Sequence, residues 1–171
     1  MTSTAGKPAR SVSPTPGKAG GGKAARAAQL RAANINPRTG LATDYLNHFN
    51  EAIMLLEMIP DMPECAVEFL GWQPLSYREH FMASHFKARD LAIEAYDSAD
   101  ANVRSEFDNI IAAMISILAA VNAAMRETSQ DRTRATLAEQ ATGWVKPLAS
   151  LAGGIINGGT EADVDTMMMT R

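Results

Sequence analysis

The stretch VRSEFDNIIAAMISILAAVNAAM, residues 103–125, decides how this chain folds. Val103, Phe107, Ile110, Met114, Ile117, Val121 and Met125 recur at alternating steps of three and four, the period of one face of an α-helix. Asp97 and Asp100 lie just upstream, where turn and cap residues belong. The opposite flank carries Ala112, Ser116, Ala119, Ala120 and Ala123, side chains small enough to let a neighbouring backbone come close. A helix of this kind is expected to be contacted on more than one side, at the centre of a bundle or in a dimer. Its most apolar part, residues 110–125, includes Ser116 and Asn122 and falls short of the ~20 residues that cross a bilayer. It reads as a buried helix, with no membrane span.

Upstream, Leu46, Phe49, Ile53 and Leu56 mark one face of a helix over 44–59, which Pro60 ends. Asp61, Pro63 and Glu64 have the order of a fresh helix start, with Asp61 as cap, and Gly71 is a stop. Ser76 and Glu79 repeat that device as a capping box and open a further helix at Tyr77. Its apolar face shifts after Phe81, so a kink or second start is expected near Ser84. Downstream of Thr128 the sequence is polar and helix-compatible to Gln140. Gly143, Gly153, Gly154, Gly158 and Gly159 are then expected to break it into pieces, one of them a short amphipathic helix near Pro147 with Trp144, Leu148 and Leu151 on its face.

No sustained alternation of period two and no internal repeat is present, and aromatic residues make up only 6% of the chain beside abundant Ala and ten Met. That mixture suits closely packed helices and disfavours strands. The expected fold is all-α, a compact bundle of four or five helices behind a disordered basic N-terminal tail. The division is 1–40 for the tail, 41–142 for the bundle and 143–171 for the Gly-interrupted C-terminal segment.

Charge draws the first of these boundaries. Lys7, Arg10, Lys18, Lys23, Arg26, Arg31 and Arg38 all precede Asp44, the first acidic residue, and the nineteen acidic residues after it outnumber the nine basic ones. A tail of formal charge +7 thus precedes a body of −10. Pro8, Pro14, Pro16 and Gly20 to Gly22 argue against a core in the tail. Residues 24–33, rich in Ala and Arg, have the propensity for a short helix on contact with a partner but are too short to hold one alone in water. No apolar stretch of a secretory signal appears, and a lone Cys65 allows no intramolecular disulfide, so a cytoplasmic location is expected. The Ala-rich composition suggests a bacterial source.

Chemistry-bearing residues are few. Asp44, His48 and Glu51 project from one side of a helix and form the best candidate metal set, although a metal needs three or four ligands and no second helix offers a clear complement. The plainer reading gives Asp44 to the helix N-terminus and Glu51 to solvent. Glu79, His80 and His85 lack the paired Glu-x-x-His spacing of carboxylate-bridged metal bundles. His80 and His85, near Arg78, Lys87 and Arg89, suit a phosphoryl group better than the acid-flanked His48. Cys65 follows Glu64, which disfavours a thiolate. No hydrolase elbow or phosphate loop occurs.

No catalytic residue and no cofactor is therefore expected. The leading expectation is a non-enzymatic helical interaction or regulatory protein that binds a protein partner through Trp144, Leu148 and Leu151, with homo-oligomerisation open to it. The first alternative is a weak nucleic-acid or anionic-surface binder acting through the basic tail, whose affinity would fall with salt. The second is a metal-binding or His-phosphotransfer bundle.

Overall fold

The computed structural model describes residues 18–159, and within them the chain is all-helical, with no strand. Seven α-helices occur among the described residues: α1 Lys18–Ala32, α2 Leu46–Met58, α3 Cys65–Gly71, α4 Tyr77–Ala83, α5 Arg89–Asp97, α6 Ala101–Arg126 and α7 Asp131–Ile156. A single 3-10 turn, Thr43–Tyr45, leads into α2. The count exceeds the four or five expected because the middle of the chain is divided more finely and because α1 exists.

The long helices set the frame. Asp100 caps α6 by accepting from the backbone N–H groups of Asn102 and Val103, which satisfies donors that have no partner inside the helix. After Arg126 a short turn reverses the chain, and α7 returns along α6 as an antiparallel neighbour. Helix α2 packs on α7, and α3 links α2 to α6. Phe107, Ile110, Met114, Val121 and Met125 of the expected face are buried, joined by Ile111 and Leu118, while Val103 and Ile117 are only partly covered. Each fully buried side chain of this size contributes about 1.5 to 3 kcal/mol before chain entropy is counted.

The short helices follow their local signals. Ser76 accepts from the Glu79 amide and Glu79 from the Ser76 amide, completing the expected capping box of α4. Ser84 stops that helix: its hydroxyl donates to the Phe81 carbonyl and accepts from the Phe86 amide, and α5 starts separately. The expected Asp61 cap is not formed. Residues 58–62 are taken up in a tight turn in which the Asp61 and Met62 amides both bond the Met58 carbonyl, and α3 begins only at Cys65.

Two expectations are corrected. The expected disordered tail up to about residue 37 is helical over Lys18–Ala32, where the body of the same chain anchors it: Leu30 is buried in the core and Arg26 pairs with Glu94 of α5 at 2.6 Å. Residues 1–17 lie outside the described residues. A compact loop then ties this segment down. Gly40 adopts φ +72°, and a Cβ there would come within 2.7 Å of the Ala95 carbonyl oxygen, so only glycine fits. Buried Thr39 donates its hydroxyl to the Ile156 carbonyl at 2.7 Å, joining the loop to the end of α7.

The second correction concerns the C-terminal segment, which is not broken at Gly143. Helix α7 runs through Gly143, Pro147, Gly153 and Gly154 without interruption. Ala138, Ala141, Val145, Ala152, Ile155 and Ile156 are buried along it, and that packing overrides the weak propensity. Pro147 and the residue four before it, Gly143, are both exposed, so the carbonyl deprived of its N–H partner faces water.

Two substitutions check this frame. Leu30→Ala should lower the unfolding free energy by about 2 to 3 kcal/mol in urea titrations, as for a core leucine; an unchanged midpoint would detach α1 from the folded unit. Pro147→Ala should raise stability by about 1 to 3 kcal/mol, because it restores a helix donor and removes the ring clash. A destabilised variant would show that the proline shapes the native helix.

Candidate functional site

Two features of the molecule bear on function: a cluster of aromatic and histidine rings at the start of α2, and an apolar surface on the outer side of the α6 and α7 pair.

The ring cluster is where the candidate metal residues lie. Tyr45 and Tyr77 are buried, and each secures a loop: Tyr45 donates its hydroxyl to the Leu75 carbonyl at 2.7 Å, and Tyr77 accepts from the Ala42 amide at 2.9 Å. Burial, the largest influence, raises both phenols above the ordinary tyrosine range. His48, 8% exposed, stacks on Trp72 with ring centres 4.6 Å apart. Its Nε2 accepts the Leu75 amide at 2.9 Å, which places the ring proton on Nδ1, while the Trp72 indole N–H donates to the His48 carbonyl at 3.2 Å. The segment between α3 and α4 is thereby fastened to α2 at two points by one residue.

His48 is thus neutral and engaged. Burial and then the charge of nearby His80 depress its pKa from 6.5 to about 4. Asp44 points elsewhere, its carboxylate 3.0 Å from His80 Nε2, and Glu51 is exposed. Asp44, His48 and Glu51 are therefore not gathered round a common point, and no group of three or more His, Cys, Asp or Glu side chains converges among the described residues. His80 is half-buried on Asp44, and His85 is exposed. Cys65 is buried, and burial together with Glu64 and Glu68 pushes its thiol up, away from nucleophilic use.

The basic residues divide. Lys7 and Arg10 lie outside the described residues, and Lys18 opens α1. Lys23 and Arg31 are exposed, Arg26 is paired with Glu94, and the Arg38 guanidinium lies against Gly158.

The expected partner-binding face also divides. Leu148 and Leu151 are partly buried and pack on the core, whereas Trp144 is 56% exposed. The Trp144 ring borders a groove of about 360 Å³ between α6 and α7, whose other walls include Ile117, Ala120, Ala124, Leu137 and Gln140. A second groove of about 310 Å³ runs along the other flank of α6, with Trp72, Ala119, Asn122 and Arg126 among its walls. Between the two stands the small-residue flank of α6. Ala112, Ser116, Ala119, Ala120 and Ala123 are all exposed, so this side is not covered by the bundle. Helix α6 is long and apolar enough by composition to cross a membrane, yet only 33% of its most apolar window is buried. Sequence reasoning found the small-residue flank but not the side of it that faces water, since periodicity does not say how many neighbours a helix has.

The His48 clasp predicts a pH dependence. A folded-state pKa below the unfolded value means that the unfolded chain takes up the proton first, so this contribution is complete above pH 6.5 and drains away as the pH falls toward 4. The loss is at most on the order of 3 kcal/mol, and less to the extent that water reaches the ring. In urea titrations between pH 7 and pH 4, His48→Gln should start less stable than the parent and lose less on acidification; parallel profiles would refute the clasp. Comparison of the chain with family models, with curated proteins and with solved structures finds no match, so the functional reading rests on this geometry alone.

Proposed function

We propose that the protein is a non-enzymatic interaction module that takes a protein partner on the outer face of α6 and α7, around Trp144. The observation that carries this reading is the large indole left 56% exposed at the edge of an apolar groove. Scattered apolar side chains are ordinary on a protein surface, but a tryptophan beside a continuous apolar concavity has the composition of an interface centre. The histidines support the same reading from the other side. His48 gives its accepting nitrogen to the Leu75 amide and His80 faces the Asp44 carboxylate, so both fasten α4 and the loop before it to the start of α2. A phosphoryl group on His80 would meet the Asp44 carboxylate.

The reading through the basic residues draws on less. Arg26 is committed to Glu94, and Lys23 and Arg31 stand on α1 without an aromatic side chain on that helix for a base to stack on.

Because Trp144 is largely exposed, Trp144→Ala should leave the melting temperature nearly unchanged. It should nevertheless weaken partner capture by more than about tenfold, the effect of losing an interface anchor. The full-length chain and the variant, immobilised side by side and exposed to the same cell extract, provide the comparison. Equal recovery of all bound proteins would remove Trp144 from the binding face.

A further inference from the structure

We infer that the connection between α3 and α4, residues 72–76, is an acid-released latch: protonation of His48 frees it from α2 while the helices behind it stay folded, and one wall of the groove along α6 opens. The latch lies on the flank of α6 away from Trp144 and does not depend on what binds there.

Both hydrogen bonds that tie this connection to α2 end on His48: the Leu75 amide donates to its Nε2 at 2.9 Å, and the Trp72 indole N–H donates to its carbonyl at 3.2 Å. The first of these exists only while the imidazole is neutral. An imidazolium carries a proton on each ring nitrogen, so no rotation of the ring restores an acceptor, and the Leu75 amide is left facing a donor. A buried amide without an acceptor is costly, and leaving the site for water relieves it. The remaining tie is the Tyr45 hydroxyl on the Leu75 carbonyl.

The surroundings of His48 do not hold the cation in place. His80 of α4, its ring centre 6.0 Å away, opposes a second positive charge, and Asp44 is taken by His80 Nε2 at 3.0 Å. Glu51, one turn further along α2, is exposed, and Glu79 is engaged with the Ser76 amide. Arg126, on the far side of Trp72 across the groove, is a further cation, bonded to the Leu70 carbonyl. Burial and then His80 hold the His48 pKa at about 4, whereas in the released form it returns to the ordinary 6.5. The open form therefore takes up the proton first, and the closed form loses ground as the pH falls through this window.

The release is local because the connection is bound lightly between two fixed ends. Gln73, Pro74 and Ser76 are exposed, and Trp72 and Leu75 are only partly covered. On one side α3 is anchored by buried Phe69 and by Asn122 and Arg126 at its last carbonyls; on the other, α4 is anchored by buried Tyr77 and Phe81. Trp72, Gln73 and Pro74 form one wall of the 310 Å³ groove, and Leu118, Ala119 and Asn122 of α6 form the other. Lifting the first wall widens the exposed flank of α6.

Amide hydrogen exchange of the full-length chain, followed by NMR at pH 7 and pH 5 with each rate divided by its intrinsic rate, tests the latch. The Leu75 amide should be less protected than those of Met114 and Leu118 at both pH values. Its protection should fall about twenty-fold between pH 7 and pH 5, the factor imposed by a pKa of about 4 in the closed form and 6.5 in the open one. His48→Gln supplies an acceptor that does not titrate, and there the fall should be less than about twofold. Three results overturn the inference: a Leu75 amide as protected as that of Met114, which would mean release only by unfolding; a protection independent of pH; or the same fall in His48→Gln. Should that variant not fold, nitrogen NMR of the parent decides alone. The His48 ring should titrate with a midpoint near pH 4 and carry its proton on Nδ1 at pH 7; a midpoint near pH 6.5, or a proton on Nε2, overturns the latch.

Discussion

One constraint governs this molecule: a helix with no ionisable side chain over residues 109–125 must be removed from water, and the other described residues cover only part of it. Phe107, Ile110, Met114, Leu118, Val121 and Met125 are buried against α7, α3 and the ring cluster, which accounts for one side of α6. Helix α7 is long because it accompanies α6, and that continuous burial carries it through Gly143 and Pro147. Helix α2 is then held against α7, with Gly153 at the contact with Leu46. The uncovered side of α6 is where the architecture leaves apolar surface in water.

The polar interactions are few and placed where the chain changes direction. His48, Tyr45 and Tyr77 each join a side chain to the backbone of a distant loop, and Thr39 joins its loop to the end of α7, fixing the connections between short helices that have little propensity of their own. The exposed ion pairs, Arg26 with Glu94, Arg78 with Asp97 and Lys146 with Glu57, sit in water and contribute at most about 1 kcal/mol each. Stability therefore comes from apolar burial, and the buried hydrogen bonds choose which packing is adopted.

Much of this was legible in the sequence wherever the signal was local. The three-four alternation located α6 and α2, Ser76 and Glu79 announced the capping box of α4, and the shift of apolar positions after Phe81 marked the break at Ser84. What could not be read was tertiary. Helix α1 has poor formers in Gly20 to Gly22 and too few residues to be stable alone, and it is anchored by Leu30 and Glu94, contacts that no local window contains. Glycine and proline in α7 are outweighed by burial against two other helices. At the candidate site, the apolar run Trp144, Leu148 and Leu151 was visible as a set, but its division into an exposed indole and two packed leucines depends on where α6 lies. Asp44, His48 and Glu51 share a sequence pattern with metal ligands, and α4 separates them by giving His80 to Asp44.

The proposed function turns on one surface, the outer flank of α6 bordered by Trp144. Carbene footprinting of the tagged full-length chain, alone and as recovered from cell extract, reads that surface directly. Peptides spanning residues 112–123 and Trp144 should be labelled less in the recovered chain than in the chain alone, while exposed positions of α1 are labelled equally in both. Equal labelling of Trp144 and 112–123 in the two samples would place the partner elsewhere.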